Sequence, residues 1–221
     1  MNPEIKITQD GSPTLYLKVL DETYHSLYGA RTESTHIYIK NGLLHRAKCG
    51  NFNETERIRI FEIGFGSGLN ALLSLNTGLP INYTSIEKYP LAPSIIKELN
   101  FGNPDEYENF LKLHAVSWDE DIKITDSFLL RKLNADFLNT EFNEHFDVIF
   151  MDAFAPDKQP EMWSDNVIRK IVRMLAPQGV ITTYCAKGIV RRKMEEEGLF
   201  VERLPGPPGG KREILRATKL R

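Results

Sequence analysis

The chain has 221 residues, 41% of them hydrophobic and 26% charged, with a formal net charge of −2 at pH 7. That length suits one catalytic domain, or one domain with a small appendage, and buries a core without disulfide or metal staples. No apolar run approaches the roughly 18 residues of a membrane span, the N-terminal MNPEIKITQDG has no secretory pattern, and the slightly acidic balance argues against an overall basic coat, so a cytoplasmic protein is expected.

In chain order, short strand-like pieces come first: Leu15 to Leu20, then His36 to Ile39 with Lys40-Asn41-Gly42 as a turn, which suggests a small β appendage over residues 1–56. From Arg57 onward strand-like and helix-like runs alternate, the pattern of a mostly parallel sheet covered by helices on both faces, a doubly wound α/β fold over residues 57–221. Arg57 to Ile63 reads as the first strand and Leu69 to Leu75 as its helix; Asn82 to Ile86 reads as the second strand, with a helix starting near Pro90 that turns Leu91, Ile95, Ile96 and Leu99 inward. The stretch from Asn100 to Glu120 gives no clear period. Leu133 to Phe137, Phe146 to Met151 and Gly179 to Thr183 read as the next three strands, with helices at about 163–175 and 188–197. Leu199 to Leu204 and Arg212 to Thr218 flank a Pro/Gly loop too short for a crossover helix, so they form an antiparallel end.

The most informative local pattern is Glu62-Ile63-Gly64-Phe65-Gly66-Ser67-Gly68, with glycines at every second position between a strand and a helix. Glycine there allows positive φ and lets a ligand lie against the main chain at the carboxyl edge of the sheet. A dinucleotide fold wants G-x-G-x-x-G and a phosphate loop wants G-x-x-x-x-G-K-[ST], whereas G-x-G-x-G suits S-adenosylmethionine. Glu87, nineteen positions after Gly68 with Lys88 beside it, is placed to accept from both ribose hydroxyls. Asp136 suits the adenine amino group, or equally a loop cap. Cys49 and Cys185 are read as free thiols, and the scattered histidines show no ligand spacing, so no metal is expected.

After the fourth strand comes DAFAPDKQPEMW, residues 152–163. Together with DETYHSLYG (21–29) and Glu33, FEIGFGSGLN (61–70), SIEKYPL (85–91) and GIVRRKMEEEGLFVERLPGPPGGKREIL (188–215), it resembles the methyltransferase domain of the bifunctional MnmC family of tRNA-modification proteins over nearly the whole chain. Two departures are Ala153 where the family usually has Gly, and Pro205 to Gly210 ahead of Lys211-Arg212-Glu213.

The resemblance implies a seven-stranded sheet of the class I methyltransferase type, S-adenosylmethionine as cofactor, tRNA as partner, and methylation of 5-aminomethyl-(2-thio)uridine at the wobble position. It covers only the methylating half, so a separate oxidase or other tRNA-modifying enzyme is expected to supply the aminomethyl substrate. On this reading Asp152 holds the ammonium and orients the neutral amine, and Phe154 lines the base pocket. From Lys187 to Arg221 there are ten Lys or Arg against five Glu; of these Lys187, Arg191, Arg192, Lys211 and Arg212 are candidate phosphate contacts. Rival readings are a small-molecule N-methyltransferase, an aminopropyltransferase, a catalytically silent RNA-binding module of the same fold, and, weakly, an NAD-dependent oxidoreductase.

Overall fold

The computed structural model describes residues 3–50, 52 and 56–220; Arg221, counted in the basic tail, lies outside them. An antiparallel ribbon comes first, β1 (Glu4–Ile7), β2 (Pro13–Leu17) and β3 (Glu22–Thr23). A continuous helical stretch follows: α1 (Ala30–Ser34), a π-helical segment (Thr35–Leu44) and α2 (His45–Cys49). The main body then alternates β4 (Ile58–Ile63), α3 (Leu69–Leu75), β5 (Ile81–Glu87), α4 (Pro93–Glu98), α5 (Pro104–Ala115), β6 (Asp121–Lys123), β7 (Phe128–Asn134), β8 (Phe146–Met151), α6 (Asp165–Met174), β9 (Leu175–Thr183) and α7 (Gly188–Glu196). It closes with β10 (Phe200–Pro205) and β11 (Glu213–Thr218).

The main sheet has eight strands in the order β10-β11-β9-β8-β4-β5-β7-β6, one more than expected, because the hairpin strand β6 adds an antiparallel edge to β7. The five central strands run parallel, and β10 and β11 form the antiparallel end. The chain winds from β4 outward to β5 and β7, then returns to β8 on the other side of β4. That reversal opens a crevice beyond the carboxyl ends of β4 and β8, where ligands of such sheets bind.

Alternation along the strands sorts the core into two layers. Ile58, Ile60, Val148 and Phe150 face α3, α5 and the π-helical segment, while Phe61, Ile63, Ile149 and Met151 face α6 and α7. α6 starts where Ser164 accepts from Val167 N, and α7 stops at Gly198, at φ 84°, with Leu199 N bonded back to Met194 O.

The structure corrects several sequence readings. His36 to Gly42 is helix, not a strand and turn: Ile37, Tyr38, Ile39 and Leu43 are buried against the sheet, and tertiary burial overrides their β-branched and aromatic bias. Gly42 is there for close approach, since a Cβ would stand 3.0 Å from Thr182 Oγ1 and 3.1 Å from Phe150 Cε1. Gly42→Val is therefore expected to cost roughly 2 kcal/mol by overpacking, read as a lower urea midpoint at unchanged slope; an unchanged midpoint would mean that the helix has room to move off the sheet.

The third strand lies earlier than Leu133 to Phe137, and its end coincides with the start of that reading. The strand read at Gly179 begins instead at Leu175, directly after α6, and carries a bulge: Phe146 pairs with Leu175 but Val148 with Val180. α4 begins at Pro93, not Pro90. The unread stretch from Asn100 holds α5, whose start is a full capping box, Asn103 accepting from Glu106 N while Glu106 accepts from Asn103 N.

Candidate active site

A cleft of about 1060 Å³ occupies the crevice, with one wall from the loops after β4, β5 and β7 and the other from β8, the ribbon, α1 and the loop before β11. On the first wall Gly64 and Gly66 adopt φ of 90° and 50°, conformations that L side chains avoid. They leave bare backbone at the helix N-terminus, and a Cβ on Gly66 would crowd the Tyr24 ring at 3.3 Å. Glu87 accepts from Gly66 N at 3.0 Å and from Tyr89 N at 2.8 Å, one bond to each carboxylate oxygen. Each oxygen keeps a lone pair for a ribose hydroxyl. Lys88 and Asp136 form an ion pair of 2.8 Å on the same rim, and Asp136 also caps Leu138 N at 3.0 Å, so the capping role is present. This set fits the nucleoside of S-adenosylmethionine: a bare-backbone cradle, a carboxylate with free lone pairs tied to it and a second carboxylate on the same rim.

Two expected cofactor contacts do not reach the cleft. Gly68 is buried, and its missing Cβ leaves room for His114, whose Nε2 would stand 2.7 Å away and lies 3.0 Å from Ser67 O. Glu62 is 1% exposed beneath the loop and accepts from Ser85 Oγ at 2.8 Å; burial pushes its carboxyl up to about 8.

The other wall is built around Asp152, carried out of β8 into the cleft. No helix starts there, so it is not a cap; Tyr38 Oη donates to Oδ1 at 2.6 Å and Asn70 Nδ2 to Oδ2 at 2.8 Å. Burial pushes Asp152 up to about 7, against those two hydrogen bonds, which favour the charged form. Phe154 meets the Tyr24 ring edge-on with centroids 5.5 Å apart, and both rings line the cleft, with Tyr24 against Gly66. Trp163 is buried packing, its indole N–H given to Phe154 O at 2.7 Å.

Residues 106–220, just over half of the chain, match an S-adenosyl-L-methionine-dependent methyltransferase family. The chain belongs to that family. Its relatives include the tRNA 5-methylaminomethyl-2-thiouridine biosynthesis bifunctional protein MnmC of Pseudomonas fluorescens, 29% identical over 99% of this chain and 35% of that protein. The protein of the same name from Campylobacter hominis is 33% identical over 73% of this chain and 25% of its own length. This methyltransferase thus spans about a third of the first of these relatives. Among solved structures, MnmC2 from Aquifex aeolicus superposes with a TM-score of 0.79 at 29% identity, covering 100% of this chain and 71% of that one. Spermidine synthase from Thermotoga maritima, with a TM-score of 0.57 at 14% identity over 98% and 68% of the two chains, shares the fold.

Of the five candidate phosphate contacts, this methyltransferase brings only Lys211 to the cleft, with Nζ 3.5 Å from the centre of the Tyr184 ring. Lys187 pairs with Asp157, and Arg191 with Glu195 at 2.5 Å, while Arg192 and Arg212 are exposed. Sequence reading missed Tyr38, Asn70, Tyr24 and Tyr184. Asn70 stands in the stretch that carries the family resemblance, but its role shows only once α3 places it opposite β8. Tyr38 was hidden by the mistaken strand. No helix among the described residues is long and apolar enough to cross a membrane.

Proposed function

We propose that this methyltransferase N-methylates 5-aminomethyl-(2-thio)uridine at the wobble position of tRNA, giving the 5-methylaminomethyl product. The observation that carries the reading is Asp152, held between Tyr38 and Asn70 at the carboxyl end of β8 and open to the cleft beside Phe154. Its surroundings suit an amine: a carboxylate with fixed orientation and little competing water holds an ammonium strongly. The names of the relatives point to the same substrate.

The bound cofactor supplies an activated methyl group. Asp152 accepts one proton of the substrate ammonium, freeing the nitrogen lone pair for in-line attack, and the Tyr38 and Asn70 hydrogen bonds stop the carboxylate from rotating away. Tyr24 and Phe154 bound the passage between the two walls and limit water there. In chain order we divide the protein into an appendage, 1–56, which contributes Tyr24, Glu33 and Tyr38, and a methyltransferase domain, 57–221. Gly64, Gly66, Glu87, Lys88 and Asp136 take the nucleoside of the cofactor. Arg192 and Arg212, with Lys187 and Arg191 once their acidic partners yield, take tRNA phosphates, and the reading places the enzyme in the cytoplasm. It also requires that the aminomethyl group be made beforehand at a separate active site.

The test is incubation of the purified protein with S-adenosylmethionine and tRNA from cells unable to finish this modification, followed by nucleoside mass spectrometry. Conversion of aminomethyl to methylaminomethyl uridine is expected, with tRNA affinity that falls as salt rises. Cofactor binding without a tRNA product, or affinity flat with salt, would count against it.

A further inference from the structure

We propose that Glu33 and Lys211 together read the imide edge of the acceptor base, Glu33 accepting the ring N–H and Lys211 donating to the adjacent carbonyl; this rests on the uridine reading above. Glu33, on α1, is 6% exposed yet lines the cleft. Its Oε2 accepts from Ser26 N at 2.7 Å, but its Oε1 is buried with no hydrogen-bond partner. Buried acceptors are ordinarily satisfied, and one left without a donor is costly, so a donor belongs at this position.

Lys211 does not supply it, since its Nζ stands 3.9 Å from Oε1, beyond hydrogen-bond range. The ammonium rests instead on the face of Tyr184, whose hydroxyl is tied to Ala153 O at 2.8 Å. The acceptor end of the cleft therefore presents an unpartnered carboxyl oxygen and a cationic donor side by side, at ion-pair distance but not hydrogen-bonded to each other.

That pair complements a uracil, whose edge offers a ring N–H flanked by carbonyl or thiocarbonyl acceptors. It opposes a cytosine twice: the carboxylate would face the lone pair of the ring nitrogen, and the ammonium would face an amino group. A site built to satisfy particular hydrogen bonds rejects analogues that leave its polar groups unpaired far more strongly than an apolar pocket does. Asp152 grips the aminomethyl arm and this pair grips the ring, so the base is held at two points.

The experiment compares kcat/KM for anticodon stem-loop RNAs carrying either 5-aminomethyluridine or 5-aminomethylcytidine, with the wild type, Glu33→Gln and Lys211→Met. The wild type is expected to favour uridine by about 100-fold or more. Glu33→Gln should narrow that ratio by about tenfold or more, because the new amide can turn to donate to the cytosine ring nitrogen, and Lys211→Met should narrow it as well. Affinity for S-adenosylmethionine should stay unchanged in both. An unchanged ratio in a Glu33→Gln protein that still binds the cofactor overturns the proposal, as does a Lys211→Met protein that loses both substrates equally, the result of a phosphate contact. Should Glu33→Gln fail to fold, the half-exposed Lys211 decides the matter alone. A wild type inactive on the uridine RNA overturns the function reading and this inference with it, whereas an active wild type with unchanged ratios in the variants overturns this inference only.

Discussion

Asp152→Asn is expected to lower kcat about 1000-fold while leaving affinity for S-adenosylmethionine nearly unchanged. The amide is the same size, but it takes no proton from the ammonium, and whichever way it turns, it sets an NH₂ against the Tyr38 hydroxyl or the Asn70 amide. The cofactor wall, built from other loops, is untouched. Because burial holds the Asp152 carboxyl up to about 7, wild-type kcat/KM should climb as the pH rises through neutrality and the carboxylate forms. Single-turnover methyl transfer and calorimetric cofactor titration check both halves. Near-normal turnover would remove Asp152 from the chemistry, and a lost cofactor affinity would make its role structural.

The second large effect concerns Glu62, and it is one of stability. Its carboxyl is pushed from an ordinary 4.5 up to about 8 in the folded protein, first of all by burial. Between those two values the folded state binds the proton more tightly than the unfolded state, so stability falls as the pH rises and is lost most fully beyond the folded value. The loss from pH 5 to pH 9 is on the order of 4 kcal/mol for this group. Glu62→Gln, neutral at every pH, should lack that slope, so its urea midpoint relative to the wild type should improve steadily with alkalinity. Asp152, whose charge is one of the causes that raise Glu62, contributes a slope of the same sign at lower pH in both proteins. Parallel midpoint curves would show that Glu62 is ionised in the folded state.

The glycine loop and carboxylate to which we assign the cofactor were legible because their signals are local. A glycine loop between a strand and a helix, and an acid at the next strand end, lie within about one βαβ unit, and the backbone itself forms the site. Even there, the third glycine of the motif serves packing against His114, a distinction spacing alone does not make. The acceptor half was legible at Asp152 and Phe154, where the motif is contiguous, and at Lys211, which was read as a phosphate contact. Tyr38 comes from far upstream to hold Asp152 from behind, and nothing in its neighbourhood announces it. The misread strand over His36 to Ile39 has the same root: its residues choose helix because the sheet they cover, formed by residues far ahead in the sequence, buries them there.

The long reach of the acceptor wall bears on the order in which the molecule is completed. Glu62 and Ser85 meet across 23 residues, and the cradle above them closes within neighbouring strands. Tyr38 finds Asp152 across 114 residues, and His36 finds the Pro205 carbonyl across 169. Closing loops of the latter length costs roughly 2 kcal/mol more chain entropy than closing the former. In synthesis Gly64, Gly66, Glu87 and Lys88 are made before Asp136 and Asp152, and the loop bearing Lys211 later still. Order of synthesis and loop entropy therefore both place completion of the acceptor wall after the local contacts between β4 and β5.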